Sequence, residues 1–481
     1  MSTMMMGRTV RRIHLLGVCG TAMASLAALL QASGYTVTGS DADVYPPMSD
    51  FLAAEGIPVR SGYAPANLDP PPDLVVVGNA IARGNPELEH ALAAGLPYLS
   101  MPEVVKLLLL PGKTPVVVTG THGKTTTSAM AAWVLAQLGF DPSFLVGGIP
   151  LDFGRSAALG RGPHFVLEGD EYDTAYFDKA PKFFHYRPAI LVITGIEYDH
   201  ADIYPDLESI VLQFRRLVNT VPPNGLVVFH ADCPRAAEVA ARAPCPAVSF
   251  GFGEGADWRA EAVRAEDGRT RFAVRHRGAA LGEATLAVPG RYNVLNALAV
   301  WAVLHHAGAA PARVAGALAS FSGVERRMTL RGEVGGALIF DDFAHHPTAI
   351  EATLAGARLR FPGRRIAVVF EPRSWTCRKR VHQAAMTRCF AAADAVILAD
   401  VFRKEALPEA DRFDPARAVA EMRAAGQDAH FLPTVAEIVP FLRRWLKPGD
   451  VAIIMSNGGF DDIHRRILET SGREGDAPTQ P

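Results

Sequence analysis

The apolar run PVVVTG leads directly into Gly120-Thr121-His122-Gly123-Lys124-Thr125-Thr126, and a helix-forming stretch opens behind it. These residue types at this spacing suit phosphate. Glycines let backbone N–H groups close on an anion, and a helix N-terminus adds a favourable dipole. Lys124 brings a mobile positive charge, and the Thr125 hydroxyl can ligate Mg2+. The pattern departs from the usual G-x-x-x-x-G-K-[ST] because Val118 stands where the first glycine would be. A strand before the loop and a helix after it still fit a nucleotide-phosphate site.

Acids and histidines follow other apolar runs in the same way. Glu168-Gly169-Asp170-Glu171 follows HFVL, and Asp199-His200 with Asp202 follows AILVITGI. The carboxyl ends of parallel strands are where open α/β sheets carry ligands. Carboxylates beside a phosphate loop suit Mg2+, which prefers oxygen ligands; His200 is a less usual ligand and can instead contact phosphate. Read singly, the same acids also serve as helix caps or surface charges.

A second turn, Gly17-Val18-Cys19-Gly20-Thr21-Ala22-Met23, also joins strand to helix but lacks the third glycine of a dinucleotide fingerprint. Ser40-Asp41 ends the next strand, where a carboxylate can hold a ribose. Two such turns imply two phosphorylated ligands, one of them ATP. Further along, Asp341-Asp342 runs into His345-His346, Glu371-Pro372 into Arg373-Ser374, and Ser456 into Asn457-Gly458-Gly459, each closing an apolar run. Neighbouring histidines do not normally converge on one metal, so His345 and His346 read as polar contacts. Arg373 can grip a carboxylate through both arms of its guanidinium.

The elements that position these residues alternate. Strand signals IHLLGV, TVTGSD and LVVVGNA, with a helix over 21–32, imply a parallel sheet. After Pro111-Gly112 come PVVVTG, FVLEGD and AILVITGI, with helices over 125–138 and 206–219. Residues 247–289 carry short alternating runs suited to a small antiparallel appendage. ALIFDDFA, IAVVFEP, AVILAD and VAIIMS make a third group, and TSGREGDAPTQP reads as a disordered tail. The expected fold class is therefore α/β with three domains: 1–111, 112–328 and 329–469, followed by a tail over 470–481.

Composition agrees. The 481 residues are 49% hydrophobic and 20% charged, a globular balance. With 48 basic against 50 acidic residues, no overall field recruits nucleic acid or an anionic membrane. Arg11-Arg12 followed by IHLLGVCGTAMASLAALL imitates a signal peptide, but glycines and a histidine interrupt it and a second strand follows at once. Cys19, Cys233, Cys245, Cys377 and Cys389 form no metal or disulfide spacing, which reads as reduced thiols of a cytoplasmic protein.

GTHGKTTT, EGDEYD, YDHAD, RYNVLNALA, GVERR and DDFAHHPT stand in this order over residues 12–465, and together they resemble the Mur ligases. The resemblance implies a Rossmann-like N-terminal domain for UDP-N-acetylmuramate, a central P-loop ATPase-like domain and a Rossmann-like C-terminal domain for the incoming peptide. It implies an ATP-dependent ligase that activates the lactyl carboxylate of UDP-N-acetylmuramate as an acyl phosphate. The extended EGDEYDTAYFDKAPKFFHYRP segment resembles that of the peptide-adding members, which implies the tripeptide L-Ala-γ-D-Glu-meso-diaminopimelate, recycled from murein, as acceptor in preference to free L-alanine. Glycine at 169 in place of the usual alanine is a minor change on this reading. No lysine lies between His200 and Asn219, so the carbamylated lysine of several relatives is not expected.

By the same resemblance Lys124, Glu168 and His200 are catalytic, with Thr125 and Glu168 holding one Mg2+ and His200 a second. Gly120 to Thr126 bind the ATP phosphates, Asn293 and Asn296 the adenine, and Arg327 and Asp342 the phosphates and ribose. Gly17, Gly20, Thr21, Met23, Ser40 and Asp41 border UDP; His345, His346, Arg373 and Ser374 face the peptide. A monomer or weak homo-oligomer is expected. The alternatives are an L-alanine-adding ligase of the same chemistry, a nicotinamide-dependent oxidoreductase suggested only by the first glycine turn, and a non-catalytic nucleotide sensor.

Overall fold

The protein is described by a computed structural model covering residues 3–5 and 8–469. The tail expected over 470–481 lies outside the described residues. Valine- and isoleucine-rich runs buried on both faces dictate parallel sheets covered by helices, and three main sheets form.

The first sheet contains β1 (Arg12–Leu16), β2 (Thr36–Asp41), β3 (Val59–Ser61), β4 (Leu74–Val77) and β5 (Tyr98–Ser100), all parallel in the order β3-β2-β1-β4-β5. Helix α1 (Thr21–Ala32) follows β1, and α2 (Pro86–Ala93) follows β4. The strand order reverses at β1, so the turn at Gly17 opens at the switch point of the sheet.

The second sheet has ten strands. Those that carry the chemistry are β6 (Thr114–Thr119), followed by α3 (Lys124–Gln137), then β7 (Ser143–Leu145), β8 (Ala157–Ala158) and β9 (His164–Glu168). A two-stranded hairpin, β10 (Asp173–Ala175) and β11 (Asp178–Pro181), leads to β12 (Ile190–Ile193) and α4 (Leu207–Val218). Helix α4 follows the expected period: Ile210, Val211, Phe214, Leu217 and Val218 are buried, and Asp206 caps its start by accepting the Ser209 N–H at 2.8 Å. The remaining strands are β13 (Leu226–His230), β14 (Ala247–Gly251), β15 (Trp258–Glu266), β16 (Arg269–His276) and β17 (Ala279–Leu286), before α5 (Arg291–His306).

The order is β8-β7-β9-β6-β12-β13-β14-β15-β16-β17. The expected antiparallel appendage is thus an extension of this sheet, because β15 pairs with β14 at Phe250↔Trp258 and Gly251↔Arg259. The register matters for function. Glu168 pairs with Val118 and Ile193 with Thr119, so the loops after β9 and β12 flank the loop after β6 on its two sides.

The third sheet contains β18 (Thr329–Val334), β19 (Ala337–Asp342), β20 (Ile366–Phe370), β21 (Ala395–Leu398), β22 (Asp428–Phe431) and β23 (Val451–Met455), with α6 (Pro347–Arg360) after β19. Its order is β18-β19-β23-β20-β21-β22, antiparallel only at β18. The chain divides into two compact units. The first two sheets share one, through Val288 and again over Tyr292–Val324; the second comprises Pro289–Arg291 and the chain from Glu325 onward. Within the first unit, the core under the first sheet runs on into Val117, Phe165, Leu167 and Tyr186. No helix among the described residues is long and apolar enough to cross a membrane.

Candidate functional site

The loop after β6 is held from below. Gly120 has φ of +121°, and a Cβ there would strike the Thr194 hydroxyl and approach the Gly195 carbonyl to 2.7 Å. Glycine is required for that approach. The Thr194 hydroxyl donates to the carbonyls of Thr119 at 3.0 Å and His122 at 2.5 Å, while Thr121 N–H donates to the Gly195 carbonyl at 2.9 Å. The Thr121 hydroxyl accepts the Glu197 N–H at 2.8 Å, and His122 Nε2 lies 3.6 Å from Glu197 Oε2. The segment after β12 therefore fixes the loop's shape.

Helix α3 starts at Lys124 without a side-chain cap or an acid in its first turn. Its first N–H groups, including those of Lys124, Thr125 and Thr126, lack intrahelical partners and suit an anion. Gly123, at φ +81°, has Asn296 behind it: a Cβ would come 2.7 Å from Asn296 Oδ1. Asn296 and Asn293 are both buried on α5, with Asn296 Nδ2 donating to Asn293 Oδ1 at 3.1 Å. Asn296 thus backs the phosphate loop.

Three carboxylates surround Lys124. Its Nζ donates to Glu171 Oε1 and Oε2 at 3.0 and 2.9 Å and to the Gly120 carbonyl at 2.8 Å. Burial alone would lower the lysine's pKa, but Glu171, Asp170 and Glu168 outweigh it and hold the amine charged. Glu168 accepts the Thr125 hydroxyl at 2.8 Å and the Gly147 N–H at 2.7 Å. Burial and the Asp170 charge push its carboxyl pKa up.

Glu171 is the residue whose place the sequence does not reveal. It is 3% exposed and bridges Lys124 to His200, whose Nε2 lies 3.1 Å from its Oε1. Burial pulls its pKa up, but Lys124 and His200 draw it below the ordinary value. In return, Glu171 raises the His200 pKa against the opposing effect of burial. So Thr125 and Glu168 meet directly, whereas His200 meets Glu171. The signal in the sequence was the density of acids in EGDE, which does not say which of them faces the lysine.

The same loop shows why residue 169 is glycine. A Cβ there would lie 2.6 Å from Val117 Cγ1 and 2.7 Å from Thr119 Cγ2. The family's alanine has no room in this backbone, so the change is not minor. Lys182 is buried below, 3.9 Å from the Tyr172 ring centroid and 3.5 Å from Asp170 Oδ2. It was missed because DKAPK reads as surface.

In the first sheet, Gly17 N–H and Val18 N–H donate to the Ser40 carbonyl at 2.8 and 3.1 Å, and Cys19 N–H donates to Asp41 Oδ2 at 2.8 Å. Thr21 and Gly20 are exposed at the turn and Met23 is buried beneath it. Asp41 also accepts the Tyr63 hydroxyl at 3.5 Å, and burial together with Asp41 pushes the phenol up to about 12. The Ser40 side chain is enclosed instead, donating to Glu87 Oε1 at 2.9 Å, and so supports the turn from inside. Glu87 also meets His14 Nε2 at 2.6 Å and Asn67 Nδ2 at 2.8 Å. This buried polar network went unread in the sequence, since His14 and Glu87 lie far apart.

In the second compact unit, Asp342 is 3% exposed and accepts the Met328 and Ala344 N–H groups, both at 2.8 Å. Burial raises its pKa against the opposing charge of Arg327, whose guanidinium lies 5.0 Å from the Phe343 ring. His345 Nδ1 is 3.0 Å from the Phe343 carbonyl, and the His346 ring lies 4.9 Å from that of His382. Arg373 stacks on Phe402 at 3.7 Å and fills the space where a Cβ at Gly458 would be. Ser374 donates to Cys377 Sγ at 3.0 Å. All five cysteines are free.

Three family models match successive parts of the chain: "Mur ligase family, catalytic domain" over residues 12–111, "Mur ligase middle domain" over 118–304, and "Mur ligase, glutamate ligase domain" over 326–458. The chain is 41% identical over 471 residues to the UDP-N-acetylmuramate–L-alanyl-γ-D-glutamyl-meso-2,6-diaminoheptandioate ligase of Escherichia coli, covering 97% of this chain and 99% of that one. The murein peptide ligase of Psychrobacter arcticus superimposes with a TM-score of 0.71 at 37% identity, over 95% of this chain and 98% of that one. The UDP-N-acetylmuramate–alanine ligase of Thermotoga maritima gives a TM-score of 0.78 at 27% identity, with the same coverages. Backbone superposition favours one neighbour and sequence identity the other.

Proposed function

The chain belongs to the Mur ligase family and is an ATP-dependent, ADP-forming ligase, and from that premise we propose that it joins L-alanyl-γ-D-glutamyl-meso-diaminopimelate to the lactyl carboxylate of UDP-N-acetylmuramate. The observation that carries the catalytic part is the convergence of Lys124, Thr125, Glu168, Glu171 and His200 on one phosphate loop. The acceptor assignment is supported by the 41% identity across 97% of the chain. Use of free L-alanine is the second reading, favoured by the 0.78 superposition.

A carboxylate is a poor electrophile, so its oxygen must first be activated. On this reading the γ-phosphoryl leaves ADP for a lactyl carboxylate oxygen, giving an acyl phosphate. The peptide's α-amine, entering unprotonated, attacks the carbonyl carbon; the tetrahedral adduct then expels phosphate, and the amine nitrogen gives up its proton to solvent. Lys124 neutralises charge on the transferring group, and the first turn of α3 holds the phosphates in line. Glu171 keeps Lys124 charged and orients both Lys124 and His200.

The donor set fits a hard divalent cation: the Thr125 hydroxyl and Glu168 carboxylate meet, and burial with the Asp170 charge makes ionised Glu168 costly, a cost that a bound cation would offset. Mg2+ held there would screen the ATP phosphates. The turn at Gly17 to Thr21, with Asp41, would take the UDP moiety, and residues after β19 and β20 the peptide. The reaction would run in the cytoplasm, where recycled murein peptide meets ATP.

The test uses UDP-N-acetylmuramate labelled with 18O in its lactyl carboxylate, together with ATP, Mg2+ and the tripeptide. The expected result is UDP-N-acetylmuramoyl-tripeptide by mass and one 18O in the released phosphate. Unlabelled phosphate would refute the acyl phosphate, and absence of the product would refute the acceptor.

A further inference from the structure

Arg378, in the loop after β20, is a buried cation without an anion. The residue is 5% exposed; its Nη2 donates to the Arg403 carbonyl at 3.0 Å, and its Nε finds no acceptor. Among the described residues no carboxylate forms an ion pair with it; Arg403, in the loop after β21, adds a second positive charge nearby, and the Cys377 thiol acts in the opposite sense. Burial pushes its pKa down, and the weaker effects of Cys377, which raises it, and Arg403, which lowers it, oppose each other. Enclosed charges are normally paired, because desolvation without a partner is costly.

The surroundings are built for a ligand that approaches from outside. The Arg378 guanidinium lies 4.5 Å from the ring of Trp375, which is 44% exposed, so the charge sits just beneath the surface. Arg373 and Arg403 both lie over Phe402, at 3.7 and 5.3 Å. Three guanidinium groups thus gather at the carboxyl ends of β20 and β21, whose last residues Phe370 and Leu398 are paired. The planar fork of arginine matches a carboxylate.

We propose that Arg378 and Arg403 form a carboxylate pocket that holds the C-terminal residue of the acceptor peptide and so selects the tripeptide over shorter acceptors. This rests on the tripeptide reading above. The sheet order supplies the scale. From the end of β19, where Asp342 and His345 lie, to the end of β21 is three strand steps. At about 4.8 Å per step this makes roughly 14 Å. An extended tripeptide covers about 10 Å, and a γ-glutamyl link lengthens it. Free alanine spans a fraction of that distance.

The experiment measures KM for L-Ala-γ-D-Glu-meso-diaminopimelate and for the dipeptide L-Ala-γ-D-Glu, using wild type, Arg378→Met and Arg403→Gln. Both variants are expected to raise the tripeptide KM at least about tenfold while moving the dipeptide KM less than about twofold, the loss of one charge-assisted contact. KM for ATP and UDP-N-acetylmuramate stays unchanged. A merely structural role would shift both peptides together, and an unaltered tripeptide-to-dipeptide ratio in the variants overturns the proposal. Should Arg378→Met fail to fold by circular dichroism, Arg403→Gln, at an exposed position, decides by the same ratio. Wild-type protein inert toward the tripeptide overturns the acceptor reading itself, and this pocket with it.

Discussion

Replacing Lys124 by methionine removes the positive centre of the site while keeping the length of the side chain. The lysine side chain is 12% exposed, and its amine lies 2.9 and 3.0 Å from the two Glu171 oxygens. Two unit charges 3 Å apart attract by about 5 kcal/mol at an effective dielectric of 20. Breaking a buried pair costs about 3–5 kcal/mol, part of which Glu171 recovers by taking up a proton. For catalysis, loss of one preorganised donor at a developing charge costs about 10²–10³ in kcat, and a charged donor belongs at the upper end. Lys124→Met is therefore expected to cut ADP release about a thousandfold. Affinity for UDP-N-acetylmuramate, measured by calorimetry, should be unchanged, because the turn at Gly17 belongs to the first sheet. A kcat within tenfold of wild type, in protein shown by melting to be folded, would refute the argument.

Gly120→Ala forces a methyl toward the Thr194 hydroxyl and the Gly195 carbonyl at positive φ, costing about 1–3 kcal/mol of strain; ATP affinity by calorimetry should fall while UDP-N-acetylmuramate affinity holds. Lys182→Met leaves Asp170 without its amine and Tyr172 without its cation; kcat should drop about tenfold, the loss of a partly desolvated ion pair, and retained turnover would deny Lys182 any part in arranging the acids. Burial raises the Glu87 carboxyl, but hydrogen bonds from His14, Asn67 and Ser40 outweigh it and hold the pKa below its ordinary value. Its stabilisation is thus complete above the ordinary glutamate pKa and lost as pH falls through the depressed one. Melting temperature should therefore fall more steeply below pH 5 in wild type than in Glu87→Gln, and parallel slopes would contradict this.

Local chemistry explains which parts were legible. Helix α1 occupies 21–32 as expected, because Gly20 ends the turn and an alanine- and leucine-rich stretch follows. Buried valine- and isoleucine-rich runs marked β4, β6, β20 and β23 directly. Contacts between distant segments were not legible. Lys124 and Glu171 lie 47 residues apart, and nothing in EGDE distinguishes the acid that faces the lysine from its neighbours. The pairing of β15 onto β14 rests on two residue pairs that no periodicity records. The crowding at residue 169 depends on Val117 and Thr119 of the adjacent strand. Arg378 is an ordinary arginine in the sequence; its burial and lack of an acidic partner are tertiary facts.

The measurement that tests the central claim most directly is kcat/KM for ADP release with ATP, Mg2+ and UDP-N-acetylmuramate. It compares L-Ala-γ-D-Glu-meso-diaminopimelate with free L-alanine, with products identified by mass. A strong preference for the tripeptide, with UDP-N-acetylmuramoyl-tripeptide as product, is the predicted result. A preference for L-alanine would contradict it, leaving the phosphate-loop chemistry in place and moving the enzyme from recycling to biosynthesis.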